Sequence, residues 1–115
     1  MAETLADKIF GLNQELTTLT RKQNLLQRAM SVKEAKFKLA IHAEKDASGK
    51  NRYTNDDLRR AGFELMKESN DAYKRTRREL AAVEARWFRV LAEIERARTT
   101  RDETALTRRE RLAAR

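Results

Sequence analysis

Large apolar residues recur along the first part of the chain in alternating steps of four and three. The row consists of Leu5, Ile9, Leu12, Leu16, Leu19, Gln23, Leu26 and Met30. An average step of 3.5 residues is the repeat of a coiled-coil seam, in which one face of a helix packs against another helix. The pattern predicts a first helix over residues 3–45.

The same spacing returns in the second half of the chain and predicts a second helix over residues 54–97. Its clear members are Leu80, Val83, Trp87, Val90 and Ile94, and Leu58, Gly62, Ser69, Tyr73 and Thr76 follow it more loosely. Residues 46–53 contain Gly49, which suits the left-handed conformation that ends a helix, and they predict a turn. Thr54 is then the expected N-cap, with Asp57 three residues later as its capping-box partner.

A turn this short predicts that the second helix runs back along the first. The predicted fold class is therefore all-α, a two-helix antiparallel coiled-coil hairpin spanning residues 1–97. If residues whose numbers sum to 99 lie at the same level, Leu12 faces Trp87, Phe37 faces Gly62 and polar Gln23 faces Thr76. A polar pair inside a seam costs stability and helps to fix the register.

The last segment, residues 98–115, has no opposing helix in this arrangement. It is rich in arginine, and its only large apolar residues are Leu106 and Leu112. The sequence leaves two states open for it, a C-terminal helical extension or a disordered tail.

Each predicted helix also carries a second apolar row outside the seam. These rows are Leu25, Val32 and Leu39 on the first helix and Ala81, Ala85, Phe88 and Ala92 on the second. A two-helix hairpin buries little surface by itself, so the rows predict an oligomer interface, most simply a homodimer that forms a four-helix bundle. The alternative is that they are ordinary apolar residues on a surface.

The composition favours a helical interaction protein. Charged residues make up 38 % of the chain and aromatic residues 6 %, which leaves little material for a thick mixed core, and there is no proline to interrupt a helix. The start of the chain lacks the basic and apolar segments of a signal peptide, and no apolar run is long enough to cross a bilayer. We therefore expect a cytoplasmic protein that does not bind membranes.

The formal net charge of +8 predicts an anionic partner. The candidate contact residues are Lys74, Arg75, Arg77, Arg78, Arg89, Arg96, Arg108, Arg109 and Arg111. They could contact phosphates of a nucleic acid independently of base sequence, or they could bind an acidic protein. The alternative is a solvated helix face that is neutralised by the neighbouring acids Asp71, Glu79, Glu93 and Glu95.

The residue inventory argues against an enzyme. His42 is the only histidine and the chain has no cysteine, so the sequence offers no catalytic triad, no cysteine–histidine pair and no two-histidine metal site. Ser48-Gly49-Lys50 lacks the upstream glycine and the following hydroxyl residue of a phosphate-binding loop, and we interpret it as a turn. We expect no catalytic residues, no metal, no cofactor and no small-molecule substrate.

The segment Ser48–Arg60, together with Arg86, Phe88 and Arg89, resembles small coiled-coil hairpin proteins encoded by bacteriophages and mobile elements. The likeness covers about a fifth of the chain. It implies a setting of DNA or RNA transactions and identifies no site residues. The function expected from the sequence is a self-associating, non-enzymatic interaction protein that binds nucleic acid or an acidic partner within a larger assembly. The alternative is a protein–protein adaptor or scaffold without nucleic-acid binding.

Overall fold

The computed structural model describes residues 3–114, and in that part of the chain all regular structure is α-helical. Helix α1 spans Leu5–Ala43, α2 spans Asp56–Ser69 and α3 spans Asp71–Ala113. The all-α class is thus confirmed, whereas the predicted second helix is divided into two. Three residues that the predicted boundaries include lie outside the described part: Met1, Ala2 and Arg115.

Helix α1 begins with a reciprocal cap between Thr4 and Asp7. The Asp7 backbone N–H donates to the Thr4 hydroxyl at 3.0 Å, and the Thr4 N–H donates to the Asp7 carboxylate at 3.4 Å. Two backbone donors that the helix leaves free are satisfied in this way. The sequence contains the signal for this cap, a threonine followed three residues later by an acid, and that signal predicts a helix start one residue after Thr4.

The segment between α1 and α2 is closed by the side chain of Asp46. Its carboxylate accepts hydrogen bonds from the Ser48 hydroxyl at 2.6 Å and from the backbone N–H of Lys50 and of Ser48 at 3.1 and 2.9 Å. The Ser48 hydroxyl first, and then the backbone donors, lower the pKa of Asp46. Gly49 has φ 82°, a conformation in which glycine is favoured because it has no Cβ. The prediction that Ser48-Gly49-Lys50 forms a turn is confirmed.

Helix α2 is capped by Asn55, so the prediction of Thr54 was wrong. The Leu58 N–H donates to the Asn55 side-chain oxygen at 2.8 Å, and Asn55 itself has an extended backbone. Threonine and asparagine both cap helices well, and here they are neighbours. Their spacing from the first helical residue decides between them, and that spacing is fixed only once the turn has folded.

A second asparagine, Asn70, separates α2 from α3. Its backbone is extended, with φ −95° and ψ 108°, and its side chain accepts a hydrogen bond from the Tyr73 N–H at 2.8 Å. Asparagine competes with helical backbone hydrogen bonds in this manner, and the prediction of one continuous helix over 54–97 is therefore wrong. The break also changes which side chains are shielded: Leu58 and Ser69, both predicted in the seam, are exposed.

The described chain forms two compact units, and the first combines residues up to Lys22 with residues from Val83 onward. Its core contains Leu12, Val90 and Ile94, with Leu16 and Leu19 packed against them. The α1 and α3 segments are antiparallel, because Leu5 lies near Ala97 whereas Glu15 pairs with Arg86 at 2.7 Å.

The register in this unit differs from the predicted one by about one helical turn. Leu12 packs in the cluster of Val90 instead of facing Trp87, and the Trp87 indole N–H donates to the Thr20 hydroxyl at 3.1 Å. An apolar row with a 3.5-residue repeat matches its partner again after a slip of one turn. The periodicity therefore predicts the buried face correctly but does not determine the level at which the helices meet.

The second unit, residues 23–82, packs around Ile41, Gly62 and Tyr73. The Tyr73 ring meets Phe37 edge-on at 5.7 Å, and its hydroxyl donates to the Glu34 carboxylate at 2.6 Å. Burial first, and then this hydrogen bond, raise the pKa of Tyr73 to about 12. The predicted pairing of Phe37 with Gly62 stays a prediction.

Candidate interaction surfaces

The basic run Lys74–Arg78 lies in the first turns of α3, directly after the cap at Asn70. Within this run, two cations have acidic neighbours: Lys74 lies 3.7 Å from Asp71, and Arg77 lies 2.8 Å from Glu68. The hydrogen bond from Arg77 lowers the pKa of Glu68 and raises that of Arg77. Ion pairs as exposed as these contribute little to stability and exchange readily.

Arg75 and Arg78, the other cations of this run, are exposed and form no ion pair within the described residues. Of the acids expected to neutralise this face, Asp71 lies beside Lys74, whereas the partner of Arg77 is Glu68, which was not among them. Arg77 has a further contact, since its guanidinium lies 5.9 Å from the centre of the Tyr73 ring. Lys74 and Arg77 therefore have acidic neighbours within the fold, whereas Arg75 and Arg78 are available to a partner.

Farther along α3, the predicted contact residues belong to the first unit and are all exposed. They are Arg89, Arg96, Arg108, Arg109 and Arg111. Arg96 lines two shallow depressions, one with Ala92 and Thr99 and one with Leu5 and Lys8. Both depressions are too open to enclose a small molecule.

The residues on one face of α3 change from apolar to polar after Ala97, where burial ends. Val90 and Ala97 belong to a row that packs in the first unit, and every described residue after Ala97 is exposed. At the same steps of four and three, the row continues with polar side chains: Arg101, Thr104, Arg108 and Arg111. Glu103 and Glu110 are each turned about 200° around the helix from Arg101 and Arg108, two residues earlier, whereas Asp102 lies 3.6 Å from Arg101.

This arrangement makes the end of α3 a helical extension with an arginine face. Of the two states that the sequence left open for residues 98–115, the structure has the helix, up to Ala113. Arg101 and Arg108 are separated by about 10 Å along the axis, since each residue advances the helix by about 1.5 Å. We call Arg101, Arg108 and Arg111 the arginine face.

Both predicted apolar rows are exposed. In the second unit, Leu25, Val32 and Leu39 keep 64, 54 and 71 % of their surface accessible, and Ala81 is exposed as well. In the first unit, Ala85, Phe88 and Ala92 are exposed, with Phe88 at 64 % and its ring edge-on to Trp87. The rows are available for contact, and their role as an oligomer interface stays a prediction.

The sequence analysis missed the cations of α1. From Leu16 to Ala43 this helix has six lysine or arginine residues and one acid, Glu34. Glu34 accepts the hydrogen bond of the Tyr73 hydroxyl, so it is turned toward the packed side. A count of acids and bases along each predicted helix would have found this segment, whereas a search for dense basic runs did not.

Near the turn, a groove in the second unit brings together basic side chains and the ring of Phe63. Lys38 lies 5.4 Å and Lys67 4.7 Å from the centre of that ring, and His42, Arg59 and Arg60 line the groove. Arg59 pairs with Asp56 at 2.8 Å. Over residues 3–114 the structure contains no group of three potential metal ligands, and none of its helices is long and apolar enough to cross a membrane.

Comparison with known proteins finds no match, whether to family models, to curated proteins or to solved structures. The resemblance of Ser48–Arg60 to phage and mobile-element proteins therefore stays a prediction. The surfaces themselves are the basis for assigning a function.

Proposed function

We propose that this protein is a non-enzymatic interaction protein that self-associates and binds nucleic acid independently of base sequence. The observation that carries the proposal is the change along one face of α3, which is apolar and buried at Val90 and Ala97 and becomes the arginine face beyond them. Arginine binds phosphate with several fixed donors and stays charged at any physiological pH. A helix that presents arginine in place of a seam is suited to a polyanion and not to an apolar helix.

The proposal retains the antiparallel two-arm hairpin as the form of the whole chain and a dimeric four-helix bundle as its assembled state. Arg75 and Arg78 in the second unit would add phosphate contacts to those of the arginine face. The loop resemblance supports a setting of DNA or RNA transactions in a phage or mobile-element assembly. A cytoplasmic location, expected from the sequence, belongs to the same proposal.

The dependence of affinity on salt tests the nucleic-acid function. If the arginine face contacts phosphates, Arg101→Gln, Arg108→Gln and Arg111→Gln together should reduce the log–log salt slope for a DNA duplex by about 2 to 3, because each phosphate contact adds about 0.9. Affinity for unrelated sequences should fall equally, since phosphate contacts carry no base information. Fluorescence anisotropy of labelled duplexes at several salt concentrations gives both quantities.

A charge-matched control separates specific contacts from net charge. Arg21→Gln, Lys22→Gln and Lys50→Gln remove the same three charges at exposed positions outside the arginine face. This variant should retain the salt slope of the wild type to within about one phosphate contact. An equal loss of slope in both variants, or a wild type that binds no duplex at low salt, would reject the proposal.

The second candidate is the adaptor function. It is favoured by the outer face of α1, where exposed leucine and valine alternate with lysine and arginine. Aliphatic side chains do not contribute to phosphate binding, so the exposed leucine and valine of this face indicate a partner different from that of the arginine face.

A further inference from the structure

The outer face of α1 in the second unit carries a second coiled-coil repeat. Its members step by three, four, three and four residues, and all of them are exposed: Leu25, Arg28, Val32, Ala35 and Leu39. We call these five residues the α1 stripe. It is about 21 Å long, from fourteen steps of about 1.5 Å. A stripe with this spacing is the surface that one helix of a coiled coil presents to another.

The charges on and beside the α1 stripe are all positive. Arg28 lies in the stripe, and Lys36 and Lys38 lie at the two flanking heptad positions that form ion pairs between helices in coiled coils. Within the described residues, none of these three cations forms an ion pair, and Lys38 has one other contact, with the Phe63 ring at 5.4 Å from its centre. Glu34, the one acid of this segment, is engaged by Tyr73 on the other side of the helix.

Other cations of the same unit differ in this respect. Arg52, Arg59, Lys67, Lys74 and Arg77 each lie within 4.0 Å of an acid of the same unit. The unit therefore pairs five of its fourteen cations with its own acids, and the cations of the α1 stripe, like Arg75 and Arg78, belong to the remainder. An occupant of the stripe would have to supply the missing acids.

A second copy of this chain does not meet that requirement. If two α1 stripes paired in antiparallel fashion about Val32, Leu25 would face Leu39 of the other copy, but Arg28 would face Lys36. In parallel pairing, Arg28 would face its own equivalent in the seam. Both arrangements place like charges opposite each other, which is destabilising.

Nucleic acid and lipid fit the α1 stripe less well than a helix does. Phosphates do not provide an apolar environment, so Leu25, Val32 and Leu39 would contribute nothing to the affinity for nucleic acid. A helix that lies in a membrane surface needs a broad apolar face, whereas this stripe has one large aliphatic residue in every two turns. An acidic helix with its own 3.5-residue apolar repeat complements both the leucines and the lysines.

We propose that the α1 stripe is a docking site for an acidic, heptad-patterned helix of a partner protein. Leucine or isoleucine of that helix would pack between Leu25, Val32 and Leu39, and its glutamate or aspartate would pair with Arg28, Lys36 and Lys38. The site lies on a different helix from the arginine face and takes a different class of partner. It therefore stands independently of the nucleic-acid proposal.

A synthetic peptide tests this site directly. The probe is a fluorescent peptide of about four heptads with leucine at the seam positions and glutamate at the flanking positions. Two control peptides replace either all glutamates with lysine or all leucines with serine. The protein should bind the probe at least about tenfold more tightly than either control peptide, because apolar packing and charge both contribute.

Matched protein variants locate the binding. Leu25→Ser with Leu39→Ser, and separately Arg28→Glu with Lys36→Glu, should each weaken binding of the probe by at least about tenfold. Leu65→Ser with Lys50→Glu alters an exposed leucine and an exposed lysine outside the stripe and should change binding less than about twofold. Circular dichroism should show the same helix content in all variants, since the altered side chains are exposed.

A single-cysteine label gives a second measurement, because the chain has no cysteine of its own. A polarity-sensitive dye at Val32→Cys should shift to the blue when the probe binds, whereas the dye at Leu65→Cys should not. Equal affinity for the glutamate and lysine peptides, or unchanged binding in both stripe variants, would overturn the proposal. A loss of duplex binding in the Leu25→Ser, Leu39→Ser variant would also overturn it and assign the face to nucleic acid.

These outcomes are independent of the test of the arginine face. The variant Arg101→Gln, Arg108→Gln, Arg111→Gln should bind the probe peptide as the wild type does. If it loses duplex binding and keeps peptide binding, both proposals stand. If the wild type binds the peptide and no duplex, only the nucleic-acid function fails.

Discussion

At the scale of single residues, Tyr73 links packing to charge in the second unit. Its ring packs edge-on against Phe37, and its hydroxyl donates to Glu34 at 2.6 Å. The fold therefore stabilises the neutral phenol. The same hydrogen bond holds Glu34 on the packed side of α1, which leaves the α1 stripe without an acid nearby. One buried tyrosine thus contributes to the charge of the surface on the other side of the helix.

The stability that Tyr73 provides should depend on pH. Its pKa is raised from 10.0 to about 12 in the folded chain, so this stability is complete below about pH 10 and is lost as the pH rises toward 12. At about pH 8, Tyr73→Phe should lower the free energy of unfolding by about 1.5 kcal/mol, the lower end of the usual effect of losing a hydrogen bond to a charged group, because Glu34 is only partly buried. Urea unfolding of both proteins between pH 8 and 12 measures the difference, which should shrink above pH 10. A difference that stays constant would show that the hydrogen bond does not govern it.

At the scale of elements, the contact between Tyr53 and Gly62 joins the turn to α2. Gly62 is buried in the middle of the helix, and a Cβ at this position would overlap the Tyr53 ring, with Cζ only 2.8 Å away. Glycine costs a helix about 1 kcal/mol relative to alanine. The close packing of the ring explains why the helix contains glycine here. Gly11 of α1, by contrast, has nothing within 4 Å of its Cβ direction.

The two glycines should respond to alanine with opposite signs. Gly11→Ala should raise the free energy of unfolding by about 0.5 to 1 kcal/mol through helix propensity alone. Gly62→Ala should lower it by about 1 to 3 kcal/mol, because the Tyr53 ring must move out of its packed position. In a Tyr53→Ala background, Gly62→Ala should become stabilising, as Gly11→Ala is. Chemical denaturation of the wild type, Gly11→Ala, Gly62→Ala, Tyr53→Ala and the Tyr53→Ala, Gly62→Ala double variant measures these differences. A destabilising Gly62→Ala in the Tyr53→Ala background would disprove the steric explanation.

At the scale of the whole molecule, the net charge of +8 is divided unevenly between the two units. Residues 23–82 contain 14 lysine or arginine residues and 9 acids, a difference of +5, which leaves +3 for the rest of the chain. Since the α1 stripe is assigned to an acidic partner helix, the apolar row that remains for a homodimer is the one that contains the exposed Phe88. Like charge opposes association of two copies, whereas burial of apolar rows favours it. The proposed homodimer depends on which of these effects is larger.

Self-association should depend on Phe88 and on salt. Sedimentation velocity at micromolar concentration should show a dimer that strengthens as salt screens the positive charge. Phe88→Glu should weaken the dimer by about 2 kcal/mol or more, because a charge would replace an aromatic side chain in the interface. Leu65→Glu introduces the same charge at an equally exposed residue outside the predicted rows and should leave the dimer intact. A monomer at all salt concentrations would refute the four-helix bundle.

The sequence by itself determined the all-α class and, in the first unit, which face of the helices is buried. Leu12, Val83, Val90 and Ile94 are buried as their spacing predicted. Helix propensity and periodicity are properties of neighbouring residues, so they can be read before any tertiary contact is known. The exposure of the two apolar rows and of most predicted basic residues follows from the same periodicity.

Tertiary structure alone decided the register and the partners of the charged side chains. A slip of one turn preserves the apolar pattern, so the level at which Leu12 meets α3 depends on particular contacts such as that of Trp87 with Thr20. Arg77 finds Glu68 across the break. The hydrogen bond from Tyr73 to Glu34 likewise joins two helices. Each of these features joins residues whose relative positions no local pattern encodes, because several pairings are equally compatible with one 3.5-residue repeat.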